Sequence, residues 1–128
     1  MMQLMTKEFA KWAVKHCVSI SDLATVLDEV ESGSFAADLG GHVIKKRIRF
    51  QGQGKSGSGR TIICFKKGDR AIFVHGYAKN EKGNVSRKEL VALRRVAEIL
   101  LDLSSAQIAH SIRTGTFIEV MKNEEISG

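Results

Sequence analysis

A chain of 128 residues, 43% of them hydrophobic, is long enough for one apolar core and short of two. No run approaches the 18 or so apolar residues that span a membrane, and the residues before Lys7 lack the apolar block of a secretory signal, so a soluble, intracellular protein is expected. Twenty Lys and Arg against 14 Asp and Glu leave a net charge of +6, which favours an anionic partner, either nucleic acid or an acidic protein.

In chain order, "KEFAKWAVKHC" (7–17) sets Phe9, Trp12, Ala13 and His16 at the spacing of one helical stripe. Ser21 is expected to cap a second helix whose apolar face is Leu23, Val26, Leu27 and Val30, with Gly33 as its stop. The pair reads as a helical hairpin. From Val43 the period becomes two: "VIKKRIRF" (43–50), "RTIICFKK" (60–67) and "RAIFVHGYA" (70–78) predict an antiparallel meander turning at "KKGDR". At Ser86 and Glu89 a capping box opens a helix with the stripe Leu90, Leu93, Val96, Ala97 and Leu100. A short helix from Ser104 or Ser105 to Gly115 and a strand over Thr116 to Val120 follow, the strand expected at a sheet edge. The fold class is therefore α+β in a single domain: an N-terminal helical hairpin on a small antiparallel sheet, then a C-terminal helix and a helix-strand extension over 104–128.

Nine of the twenty Lys and Arg, but one of the fourteen acids, lie between His42 and Arg70, leaving eleven against thirteen elsewhere. A solvated surface mixes signs; this third of the chain does not, which points to a binding face. The glycine-rich "GQGKSGSGR" (52–60) inside it is not a phosphate-binding P-loop, because Arg49 stands where the first glycine is needed and a strand, not a helix, follows. It reads as a connector whose Lys55 can reach a phosphate. Alternation puts Lys45, Arg47 and Arg49 on one face and Ile44, Ile48 and Phe50 on the other, with Lys46 interrupting the apolar side. Arg60 and Lys66 flank Ile62 and Cys64, and Phe73, His75 and Tyr77 are expected to share a face, with Lys79 just beyond. His16 and His110 read as structural. Cys17 and Cys64, far apart and without ligand spacing, suggest neither zinc nor a disulfide framework and read as small buried side chains.

The phrases "FAKWAVKH", "DLGGHVIKKRI", "GQGKSGSGRT", "FVHGYAKNEKGNVS" and "KEL" resemble a branch of the RelE/HigB-like toxins of type II toxin-antitoxin systems, over roughly residues 5–103. The resemblance implies a cytoplasmic endoribonuclease that cuts messenger RNA, usually on the ribosome, needs no cofactor or metal, and is silenced by a cognate antitoxin, often a helix-turn-helix protein. The family's K-x-K-x-R strand pattern is similar to Lys45, Arg47 and Arg49, and its next arginine to Arg60. Of its later basic pair Lys79 is kept and Asn80 replaces the second member. The tyrosine of better-known members falls near Ser86, so His75 and Tyr77 stand in as candidates for proton transfer. The implied catalytic set is Lys45, Arg47, Arg60, His75, Tyr77 and Lys79, with Lys46, Arg49, Lys55, Lys66 and Asn80 as RNA contacts. The rival readings are a ParE-like gyrase poison on the same scaffold and a non-catalytic nucleic-acid binder.

Overall fold

The computed structural model describes residues 1–50, 57–81 and 83–120. The chain opens with a strand, β1 (Met2–Thr6), and not with the expected hairpin. Helices α1 (Lys7–Lys15) and α2 (Ile20–Glu31) follow, then β2 (Ala37–Asp38), β3 (Val43–Phe50), β4 (Gly57–Lys66) and β5 (Arg70–Ala78). Helices α3 (Arg87–Leu101) and α4 (Ser105–Arg113) lead to β6 (Phe117–Glu119).

The strands form one sheet in the order β2-β3-β4-β5-β1-β6. The meander β3-β4-β5 is antiparallel as expected, but β1 inserts parallel to β5 and pairs antiparallel with β6. Adjacent Leu4 and Met5 are both buried, on opposite sides of the sheet. An inner strand covered on both faces loses the polar-apolar alternation that marks a strand in sequence, which is why β1 is hard to read there. The extension supplies β6 as the outermost strand, as expected.

Helices cover both faces. On one, α1 and α2 bury Phe9, Leu23, Leu27 and Val30 against Ile44, Ile48, Ile63 and Phe73. On the other, α3 and α4 pack Ala97, Leu101 and Ile108 over Val43, Ile62, Cys64 and Ile72. The buried line of α3 runs through Leu93, Ala97, Leu100 and Leu101, while Val96 is 37% exposed and Ile99 63%, a rotation from the expected stripe.

Local chemistry sets the helix ends. Thr6 caps α1, and α2 is capped by Ser19, whose Oγ accepts from Asp22 N at 3.0 Å; Ser21 lies inside the first turn. Starting two residues earlier than expected makes Asp22 the third residue of the helix and not the first, still within the turn at the positive helix end. Gly33, at φ 95°, terminates α2 as expected. Cys17 makes the reversal between α1 and α2 at φ 58° and is exposed, contrary to the expectation of burial. The Ser86–Glu89 capping box forms in full, and Ser104 with Gln107 makes a second.

Arg70, part of the basic third, is spent on the fold. Only 5% exposed, it donates from Nη1 to Leu100 O (3.1 Å) and Leu103 O (2.8 Å) and pairs through Nε with Asp69 (3.1 Å). A cation at the carbonyl end of α3 satisfies orphan acceptors and opposes the helix dipole.

Candidate nucleic-acid interface

Strand register decides which side chains meet. Beyond the end of α3, the sheet face that carries Ile62 and Cys64 is built from three cross-strand rows. Lys45 is paired with Ile62 and Ile62 with His75; Arg47 with Arg60 and Arg60 with Tyr77; Arg49 with Ser58. The last row ends at Lys79, whose backbone N–H donates to Ser58 O at 3.0 Å. Neighbouring strands lie about 4.8 Å apart, so a three-residue row spans about 10 Å, the reach of one phosphodiester and its neighbour.

A β-bulge makes this possible. Ile63 pairs with Phe73 but Ile62 pairs with His75, so Val74 is left over. The extra residue turns Phe73 to the α1/α2 face, where it stacks on Phe9 (4.6 Å between centroids, 10° between planes), and sends His75 and Tyr77 to the cationic face. Phe73, His75 and Tyr77 therefore do not share a face as expected from strict alternation, because a bulge shifts the period by one. The His75 and Tyr77 rings lie 6.1 Å apart. Tyr77 is buried and His75 half-buried.

Two cavities meet at the ends of β3, β4 and β5. One, of ≈390 Å³, is bounded by Arg47, Arg49, Ser58 and Lys79. The other, of ≈570 Å³, is bounded by His16, Phe50, Ser58, Lys79 and Asn80. Lys79 and Asn80 are exposed on the turn after β5. Among the described residues no carboxylate lies within ion-pair distance of Lys45, Arg47, Arg49, Arg60 or Lys79. Lys45 Nζ donates to Asn84 Oδ1 at 3.4 Å, and Asp22 and Glu29 border the outer side of Arg47 and Arg49.

The register gathers Lys45, Arg47, Arg49, Arg60, His75, Tyr77, Lys79 and Asn80 at one end of the sheet. It does not gather Lys46 or Lys66. Lys46 points to the α2 side, where its Nζ meets Glu29 at 3.1 Å and Ser34 O at 2.9 Å, so it clamps β3 to α2. Lys66 is six residues along β4 from Arg60, about 20 Å away, and faces Asp69 at 3.8 Å. Lys55 lies outside the described residues. His16 and Phe50, read as a structural histidine and an apolar-face residue, line the larger cavity instead; only the packing of α1 against the end of β3 brings them together.

Cys64 takes no part. Burial pushes its thiol up to about 12, which keeps it protonated and inert near neutrality. Among the described residues no three His, Cys, Asp or Glu side chains are grouped to hold a metal ion, and no helix is long and apolar enough to cross a membrane. A family model described as "RelE toxin of RelE / RelB toxin-antitoxin system" matches residues 1–120. No curated protein matches the chain.

Proposed function

The chain belongs to the RelE toxin family of toxin-antitoxin systems, and from that membership we propose that it is an endoribonuclease that cleaves messenger RNA on the ribosome and so arrests translation. The observation that carries this reading is the row Arg47, Arg60, Tyr77 beside the row Lys45, Ile62, His75, which sets cations from two strands against two proton-bearing rings from a third.

The reaction is a transesterification. The RNA 2'-hydroxyl loses its proton as its oxygen attacks the adjacent phosphorus; the bond to the 5'-oxygen breaks, and that oxygen takes up a proton. The products are a 2',3'-cyclic phosphate and a free 5'-hydroxyl. Negative charge grows on the equatorial phosphate oxygens, so fixed cations at that point stabilise the transition state more than the ground state. Arg60, in the middle of its row, is the phosphate clamp, since a guanidinium can bind two oxygens together. Arg47, its cross-strand neighbour, shares that charge, and Arg49 and Lys79 hold the flanking backbone.

Lys45 is the base for the 2'-proton, taking it on Nζ when that group is a free amine and becoming the ammonium; a guanidinium does not give up its own proton in proteins, so Arg47 is unsuited to the role. His75, half-buried at the other end of the same row, returns a proton to the leaving oxygen from its imidazolium form, with Tyr77 packed beside it. Asn80 offers an amide to the RNA at the turn. Family membership implies an antitoxin, and the cationic face suits an acidic segment of a helix-turn-helix repressor encoded with the toxin.

Expression without antitoxin tests the proposal. Wild type arrests growth and leaves messages with cyclic-phosphate ends, and Arg60→Ala, at equal protein level, grows with cleavage reduced about 100-fold or more, the scale of losing one transition-state charge contact. Arrest by Arg60→Ala as strong as wild type removes Arg60 from the clamp. Induction of the SOS response without cut messages selects the gyrase-poison reading.

A further inference from the structure

We propose that the rings of His16 and Phe50 form a stacking site for one unstacked nucleobase of the RNA whose phosphates occupy the Arg47, Arg49 and Lys79 cleft. This rests on the ribonuclease reading and adds to it the place where a base is held.

The two cavities share Ser58 and Lys79, so they are adjoining parts of one depression that straddles the strand ends. The part on the sheet's cationic face is lined by three cations, the chemistry of a phosphate. The part on the α1/α2 side is lined by two aromatic rings with Asn80 and Ser58 at the rim, the chemistry of a base: a π surface with an amide and a hydroxyl able to donate or accept at its edge. Its ≈570 Å³ falls within the range of about 300–1,000 Å³ usual for small-ligand sites.

The rings are braced. Phe50 and His16 stack at 4.6 Å and 15°, Trp12 backs both at 5.7 and 4.8 Å, and Phe9 ties Trp12 at 5.4 Å to the buried Phe73. Two strand glycines make room for this series. A Cβ on Gly76 would come within 2.6 Å of the Trp12 ring, and one on Gly59 within 2.7 Å of Phe50 Cζ. The sheet thus gives up side chains at two positions so that a ring series can run from the core to the cavity. A ring ordered before binding offers a stacking surface at little cost in conformational entropy.

The test is binding of a short single-stranded RNA made uncleavable by 2'-O-methylation, compared with the same strand carrying abasic riboses. Trp12, the single tryptophan, reports directly by fluorescence from behind the rings. The wild type is expected to prefer the base-bearing strand and to lose Trp12 emission on binding it. His16→Ala and Phe50→Leu should each lower that preference about tenfold, the scale of one lost base stack. Abasic affinity should be unchanged, and His16→Phe should restore the preference. Because the ratio is taken within each variant, a partly unfolded sample lowers both affinities and leaves the ratio intact. Variants with the wild-type ratio, or an equal loss for both strands, overturn the stacking site. Absence of cyclic-phosphate ends with the ratio effect present would instead remove the ribonuclease chemistry and leave the base site standing.

Discussion

Single residues of one chemical type serve opposite ends in this molecule, and burial and partner decide which. Arg60 faces a row of cations on an open sheet face, whereas Arg70, ten residues on, is sealed under α3 with two carbonyls and a carboxylate. The two cysteines divide likewise: Cys17 is exposed, and burial pushes the Cys64 thiol up to about 12 from 9.0. A thiol reagent near pH 8 should therefore label Cys17 alone until denaturant is added, as counted by mass spectrometry. The raised Cys64 value also has a thermodynamic sign. Below about pH 9 the thiol is neutral folded or unfolded and contributes no pH dependence. Above it the unfolded chain ionises first, so stability falls as pH climbs toward 12. Urea unfolding at about pH 8 and about pH 10 should show wild type losing about 1.4 kcal/mol more than Cys64→Ala. Equal losses would mean the thiol is not held neutral.

At the scale of elements, the α3–α4 junction depends on Arg70. Its guanidinium joins the start of β1's neighbour β5 to the Leu100 carbonyl in the last turn of α3 and to the Leu103 carbonyl in the turn before α4. Arg70→Met keeps much of the volume but strands those acceptors, and should cost about 2–4 kcal/mol by denaturant titration, as expected for orphaned buried partners of a charged donor. It should leave RNA affinity per folded molecule unchanged. The extent to which elements can be read from sequence follows from what each buries. The capping box at Ser86, the Gly33 stop and the three long strands were legible because their signals are local: a hydroxyl three residues from a carboxylate, a residue free to take positive φ, an alternation of eight or nine residues. β1 was not, because a five-residue strand covered on both faces has no polar side to alternate with. The β5 bulge was not, because nothing in "RAIFVHGYA" marks Val74 as the residue skipped by its partner strand.

Across the whole molecule, charge is separated by function. The +6 net charge does not coat the surface evenly: Lys46 and Arg70 are consumed in the fold and Lys66 lies far down β4, while Lys45, Arg47, Arg49, Arg60 and Lys79 gather at one end. Each phosphate neutralised on a single strand contributes about −0.7 to the slope of log affinity against log salt, so five contacts predict about −3 to −3.5. Binding of the uncleavable RNA across a salt series should give that slope. Arg47→Gln or Arg49→Gln should each reduce its magnitude by about 0.7, and Lys46→Met should leave it where it was, since that ammonium is already held by Glu29 and Ser34. A change with Lys46→Met as large as with Arg47→Gln would return Lys46 to the RNA-binding set.

The amino-acid order by itself determined the α+β class, the three-stranded meander, most helix ends, and the facing of Lys45, Arg47 and Arg49, because hydrophobic period and capping chemistry act over a few residues. It also carried the phrases through which the family was legible. Only tertiary structure decided that β1 lies inside the sheet, that Phe73 parts company with His75 and Tyr77, that Arg70 and Lys46 are structural, and that His16 meets Phe50. Each of those outcomes depends on which distant segment supplies the neighbour, and a linear pattern records spacing along the chain but not the partner across a strand or beneath a helix.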